Sequence, residues 1–186
     1  MTSFLFAMVA SFLAATGSRD QLLVAHLRER LGASYALLLM AVAMAIATAF
    51  IAAWFGSTLA GQLSSDAATM FVAIAMLLAA VECAWPNRAR MPQEPTRSLG
   101  AIGIVLFLRQ LTDASRFLIA AFAAALASPM LAGIGGAIGG SAAVCLGWFL
   151  GDRLEHLPLR AVRLCLGAVL FLLAIWLGLT ARGLIG

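Results

Sequence analysis

The stretch LFLRQLTDASRFLI, residues 106–119, carries three charged side chains and a glutamine inside an otherwise strongly apolar segment. These are Arg109, Gln110, Asp113 and Arg116. An ionised side chain at the centre of a bilayer costs about 2.5–3.5 kcal/mol on insertion scales, so such groups are rare there and usually face partners or water. Whether this segment crosses a membrane therefore decides both the fold class and the meaning of its charges.

The composition favours a membrane. Of the 186 residues, 63% are hydrophobic and only 11% are charged, whereas about a quarter are charged in an ordinary soluble domain. Apolar runs of about twenty residues, which are typical of transmembrane helices, recur along the chain. The sequence therefore predicts an all-α integral membrane protein with six transmembrane helices, near residues 4–31, 34–56, 67–85, 99–127, 130–151 and 160–182.

The two halves of the chain also resemble each other. They align without a gap when the second half is shifted back by 95 residues, and the predicted helix ends then coincide. The matched pairs are Leu23 with Leu118, Ala25 with Ala120, Gly56 with Gly151, Leu59 with Leu154, Ala73 with Ala168, and Ala41, Ala45 and Ala52 with Gly136, Gly140 and Gly147. We expect two three-helix repeats, 1–85 and 99–186, joined by a linker at 86–98. Because three is odd, the second repeat would enter the membrane from the opposite side, as in many secondary transporters.

The arginines predict the orientation. All twelve basic residues are Arg, and most of them lie in the connections that a six-helix topology gathers on one side. That side holds Arg28, Arg30, Arg88, Arg90, Arg97, Arg153, Arg160 and Arg163, whereas the other side has only Arg182. By the positive-inside rule the crowded side is cytoplasmic and both termini face outward. The arginine-only, alanine-rich composition indicates a bacterial plasma (inner) membrane.

The same arginines bear on the partners. They sit at helix ends or inside helices and not in a patch interleaved with aromatic side chains, so nucleic acid is not expected as a partner. Membrane lipid is the expected surrounding, and association into a homo-oligomer stays open. The sequence contains no pairing of nucleophile and base, no zinc-binding spacing and no phosphate-binding loop, and we expect neither an enzyme nor a resident cofactor.

Under the shift of 95 residues, the opening stretch is matched by ATGSRDQL, residues 15–22. Both polar bands would lie near the middle of long helices and meet at similar depth. On a continuous helix Arg109, Asp113 and Arg116 would share one face, because they are spaced i, i+4 and i+7. One interpretation is a self-neutralised cluster with the pairs Arg116–Asp20 and Arg19–Asp113. The interpretation that we favour is a polar pathway or substrate site between the repeats.

Three further features have simpler interpretations. Glu82 is expected to be an interfacial carboxylate paired with Arg88 or Arg90, with a guard at a cation entrance as the alternative. The glycine-rich run 133–140 is expected to serve close helix packing. The three cysteines, at positions 83, 145 and 165, lie in apolar surroundings without metal-binding spacing and are interpreted as buried free thiols.

At the two polar bands the sequence resembles the six-helix cation/proton exchangers that include the Golgi manganese and calcium transporters, the transmembrane protein 165 family. The signature of that family is Glu-x-Gly-Asp-Lys/Arg-Thr/Ser in the first helix of each half. In the first copy Gly17 and Arg19 match and Gln21 follows, whereas Ala15, Ser18 and Asp20 replace the Glu, the Asp and the hydroxyl residue. In the second copy Asp113 and Ser115 match, whereas Gln110, Thr112 and Ala114 replace the Glu, the Gly and the basic residue.

The resemblance implies a divalent-cation site between the two motifs, with proton exchange through their carboxylates and with Mn²⁺ or Ca²⁺ as cargo. The implied ligands are Asp113, Asp20, Gln110, Ser18 and Ser115. The implied neighbours that tune the charge of Asp113 are Arg19, Arg109 and Arg116. Three arginines at such a site also favour an anionic or zwitterionic solute. A non-transporting structural family member whose site has become ion pairs is the remaining alternative.

Overall fold

The computed structural model describes residues 2–86, 98–126 and 128–184, and within these ranges helices are the only regular secondary structure. The α-helices are α1 (Thr2–Ala15), α2 (Arg19–Leu31), α3 (Tyr35–Ala60), α4 (Ser65–Ala84), α5 (Leu99–Leu111), α6 (Ala114–Ala125), α7 (Pro129–Leu150) and α8 (Leu159–Ala181). A short 3₁₀ helix, Gly151–His156, follows α7. Most of the predicted linker 86–98 lies outside the described residues.

Four helices, namely α3, α4, α7 and α8, are long and apolar enough to cross a membrane, as judged by length and composition. The predicted helices 67–85, 130–151 and 160–182 agree with α4, α7 and α8 to within two residues. The prediction of an all-α protein is confirmed, and its apolar helices are consistent with an integral membrane protein.

The prediction of continuous helices at 4–31 and 99–127 is wrong, because each is broken into two helices at its polar band. α1 ends at Ala15 and α2 begins at Arg19, and Gly17 between them adopts a left-handed backbone with φ of 72°. α5 ends at Leu111 and α6 begins at Ala114. A Ser or Asp that accepts a hydrogen bond from the first turn starts a helix. Each polar band, which the sequence placed near the middle of a long helix, therefore contains the start of a new helix.

The two breaks occupy the same point of the sequence repeat. Ser18 is the N-cap of α2 and Asp113 is the N-cap of α6, and these positions are 95 residues apart. The starts of the following helices also correspond, since α3 and α7, and likewise α4 and α8, begin 94 residues apart. The shared face expected for Arg109, Asp113 and Arg116 is interrupted, because the first residue lies in α5, the second is a cap and the third lies in α6.

The glycine-rich helix α7 is the centre of the packing. It packs against α1 and α3, while α4 packs against α8, and α6 lies between α3 and α4. Gly135 and Gly139 face the backbone of α1, where a Cβ built on either would overlap a carbonyl oxygen, that of Phe4 or Met8. The run 133–140 therefore serves close helix packing, as predicted.

The three cysteines are free thiols, as predicted, but their burial differs. Cys83 is buried in α4, Cys145 is half-buried in α7, and Cys165 is exposed on α8. The prediction that Cys165 is buried is wrong, because α8 is an outer helix. Only 17% of the apolar 18-residue stretch of this helix is buried. Its uncovered face carries Leu172 and Trp176, which suits contact with lipid.

Replacing Gly139 by Ala is expected to destabilise the fold by about 1–3 kcal/mol, the usual cost of overpacking a tight interface. The added methyl group would meet backbone atoms of Met8 and Phe12, which cannot rotate away as a side chain does. The measurement is unfolding of the purified protein in detergent. Gly100→Ala is the matched control, because the nearest atom to its added methyl group is 3.9 Å away. Equal stability of the two variants would contradict the close approach of α1 and α7.

Candidate functional site

The first break places a hydroxyl and a carboxylate at the start of α2. The Ser18 hydroxyl donates a hydrogen bond to Oδ1 of Asp20 and accepts one from the backbone N–H of Gln21 at 3.4 Å. The Gln21 side chain returns toward the break, where its Oε1 accepts from the backbone N–H of Gly17 at 2.6 Å. This reciprocal arrangement resembles a capping box. It fixes Asp20 and Gln21, which are only 2% and 1% exposed, at the break.

The second break repeats this chemistry in the opposite order. Oδ2 of Asp113, the cap of α6, accepts from the backbone N–H of Ser115 at 3.1 Å and from its hydroxyl at 2.5 Å. At the first break the hydroxyl residue precedes the acid by two positions, and at the second break the acid precedes the hydroxyl residue by two positions. In both, the hydroxyl donates to the carboxylate two positions away.

The two breaks share one small cavity of about 20 Å³. Its lining residues are Arg19, Asp20, Glu82, Arg109, Thr112 and Asp113. Such a volume suits one water molecule or a bare metal ion. The expectation that the two bands lie together holds for the cavity residues Asp20, Asp113, Arg19 and Arg109.

Asp20 leaves one carboxylate oxygen at this cavity without a partner. Its Oδ1 accepts from Ser18, whereas its Oδ2 is buried and has no hydrogen-bond partner among the described residues. Buried polar atoms are nearly always paired, because an unpaired one loses its hydration without compensation. Asp20 is thus the side chain of the cavity most in need of a proton, a water molecule or a cation.

Glu82 supplies a third acid to the cavity, from near the end of α4. Its Oε2 accepts a hydrogen bond from Nη2 of Arg163 at 2.5 Å, and its Oε1 lies 3.7 Å from Nη2 of Arg19. Glu82 is therefore a buried carboxylate, 9% exposed, and the partner that the structure gives it is Arg163 of α8. Its suggested partners Arg88 and Arg90 lie outside the described residues.

Arg163 is also not the loop charge that the sequence suggested. It lies in the second turn of α8 and is 3% exposed. Its Nη1 donates to the backbone oxygen of Ala14 at 3.1 Å, and its Nη2 donates to that of Glu82 at 3.1 Å. A guanidinium there offers donors to carbonyls near the C-terminal ends of α1 and α4, where cations are favoured.

Arg116 and Gln110 belong to a buried network that Ser115 connects to Asp113. Nε and Nη2 of Arg116 donate to the hydroxyl of Thr48 in α3 at 3.0 and 2.9 Å. Nη1 donates to the Ser115 hydroxyl at 2.6 Å, and Nη2 also reaches Oε1 of Gln110 and the backbone oxygen of Ala45, both at 3.3 Å. The ion pairs suggested by the sequence are thus replaced, since Arg116 binds neutral acceptors and Arg19 lies against Glu82.

The predicted ligand set is therefore divided. Asp20 and Asp113 line the cavity, Ser18 and Ser115 each bind one of these carboxylates, and Gln110 is held on the Arg116 side. Sequence reasoning missed the role of Glu82 at the cavity, together with Arg163 and Thr48. One signal was present in the sequence, because Ser18 and Gln21 have the spacing of a capping box.

The acids do not form a ready-made metal centre. Within the part of the chain that the structure describes, no group of three or more His, Cys, Asp or Glu side chains is arranged to hold a metal ion. The three cavity acids bind Ser18, Ser115 and Arg163 instead. A cation entering the cavity would have to displace some of these contacts.

No protein-family model, no curated protein and no solved structure matches the chain. Its function has to be inferred from the site itself.

Replacing Thr48 by Val is expected to lower stability by about 1.5–3 kcal/mol, the usual worth of hydrogen bonds to a charged group. The substitution keeps the shape of the side chain but removes the oxygen that accepts two bonds from the buried Arg116. Thr48→Ser retains the hydroxyl and is the matched control. The check is reversible unfolding in detergent, and a Val variant as stable as the Ser variant would contradict the network.

Proposed function

We propose that the chain is an integral membrane transporter that exchanges a divalent cation, Mn²⁺ or Ca²⁺, for protons at the cavity between the two helix breaks. One observation carries the proposal. Each half contributes a buried carboxylate, Asp20 or Asp113, to the same cavity, and Oδ2 of Asp20 has no hydrogen-bond partner among the described residues. A proton or a hard cation would satisfy that oxygen, since Ca²⁺ and Mn²⁺ both prefer oxygen ligands.

The broken helices support transport. Many transporters build the substrate site from discontinuous helices whose ends meet in the protein interior. Here residues at the start of α2, near the end of α5 and at the N-cap of α6 line the cavity. Irregular backbone of this kind is tolerated at membrane depth only where it is buried in protein or lines a water-filled space.

The exposure of Arg19 supports an aqueous approach to the cavity. Its side chain is 47% exposed although it lies against the buried Glu82. A guanidinium facing hydrocarbon would cost about 2.5–3.5 kcal/mol, and we infer that this side of the cavity opens to water. Glu82 and Arg163 lie near the end of α4 and the start of α8. The approach is therefore on the arginine-rich side, which the positive-inside rule makes cytoplasmic.

The proposed topology has six passes. α3, α4, α7 and α8 each cross once, and the broken pairs α1/α2 and α5/α6 make one pass each. The correspondence of Ser18 with Asp113 supports an inverted repeat. The distribution of the arginines supports outward termini, and the composition supports a bacterial plasma membrane. On this basis we propose the chain as a divergent relative of the six-helix cation/proton exchangers that its polar bands resemble.

The deciding experiment is flux of Mn²⁺ and of Ca²⁺ into proteoliposomes under an imposed pH gradient. Asp113→Asn and Asp20→Asn are each expected to lower the flux at least about tenfold, which corresponds to about 1.4 kcal/mol of lost stabilisation. Asp66→Asn is the control, because Asp66 is an exposed acid at the start of α4. Flux that survives both cavity substitutions in folded protein would overturn the proposal. Absence of any cation flux from folded wild type would favour the other transport substrate or a non-transporting structural role.

Two arginines at the cavity favour a second candidate, a transporter of an anionic or zwitterionic solute. Arg19 and Arg109 both line the cavity, and guanidinium groups bind carboxylates and phosphates through paired hydrogen bonds. This candidate predicts uptake of amino acids or small organic anions that does not depend on Mn²⁺ and that is lost on Arg109→Gln. The exposed Arg30→Gln is the control, and cation flux insensitive to these solutes would exclude the candidate.

A further inference from the structure

We propose that Glu82 is a third acidic ligand of the transport site and that Arg19 is a tethered counter-cation, which the cargo displaces from Glu82. The identification of the cargo as a cation rests on the proposed function. The roles of Glu82 and Arg19 rest on the geometry around the cavity, to which both residues contribute.

Arg163 holds Glu82 in place. One guanidinium nitrogen, Nη2, binds both the side chain and the backbone oxygen of Glu82, and the other, Nη1, binds the backbone oxygen of Ala14 in α1. These bonds connect α8, α4 and α1 and fix Oε2 of Glu82. Oε1, which lies 3.7 Å from Arg19, is the oxygen that can change partners.

Arg19 is the contact most easily lost. Its distance from Glu82 Oε1 is compatible with an ion pair but too long for a direct hydrogen bond. Its side chain is 47% exposed, whereas those of Glu82 and Arg163 are 9% and 4% exposed. A partly exposed pair at this distance contributes little stability, so loss of the Arg19–Glu82 contact costs far less than loss of the buried Glu82–Arg163 pair.

The charges around the cavity make this exchange useful. Three carboxylates, those of Asp20, Asp113 and Glu82, line it together with two guanidiniums, those of Arg19 and Arg109. Two further guanidiniums adjoin this lining, since Arg163 binds Glu82 and Arg116 is connected to Asp113 through Ser115. Loss of the Arg19 contact removes one positive charge from the lining and frees Oε1 of Glu82 to bind another cation.

The test is Mn²⁺ binding to the purified full chain in detergent, at constant ionic strength and neutral pH. The binding is measured by titration calorimetry. Arg19→Gln is expected to tighten binding roughly tenfold, because it removes a cation that competes for the site. Arg30→Gln, an exposed arginine later in the same helix, is expected to leave binding unchanged. In the double variant Arg19→Gln with Glu82→Gln the gain is expected to disappear, which a double-mutant cycle reports as coupling.

Glu82→Asp replaces Glu82→Gln if the latter does not fold, since it keeps a charge for Arg163 and withdraws the carboxylate from the cavity. The inference is overturned if Arg19→Gln binds Mn²⁺ no more tightly than wild type, or if its gain persists after Glu82 is replaced. These outcomes are independent of the flux experiment. Coupling between Arg19 and Glu82 in a protein without wild-type flux would leave this inference standing and remove the proposed transport activity.

Discussion

The unpaired backbone groups of the two broken helices are the constraint on which the rest of the structure depends. A helix that stops inside an apolar protein exposes N–H and C=O groups that lipid cannot satisfy. Ser18 and Asp113 accept from the new first turns, and Arg163 reaches the end of α1 from α8. The polar residues of the bands are therefore needed for the fold before any function is considered.

The polar residues of the bands can serve both the fold and a function, because some of their hydrogen-bonding atoms have no partner among the described residues. Ser115 and Arg116 close one side of the second break with a continuous set of hydrogen bonds. The other side carries Asp20, whose Oδ2 lacks a partner among the described residues. A buried carboxylate oxygen without a partner costs stability, and this cost is the reason for proposing a site here and not a decayed cluster.

The sequence predicted the helical fold, the corresponding positions of the two polar bands and the meeting of Asp20 with Asp113. The breaks were not predicted, because hydropathy is averaged over about 19 residues. The short segment Thr16–Ser18 changes that average too little to show a break. The partners of Glu82 were also missed. Glu82 and Arg163 are 81 residues apart and lie near opposite ends of their helices in sequence, so only the packing of α4 against α8 brings them together.

The two breaks carry an acid and a hydroxyl in opposite order. Asp113 is followed two residues later by Ser115, whereas Ser18 precedes Asp20. A Ser caps a helix as well as an Asp does, so either order starts a new helix, and the order at the first break places the acid at the second position of α2. There the carboxylate lies at the cavity with Glu82 and Asp113.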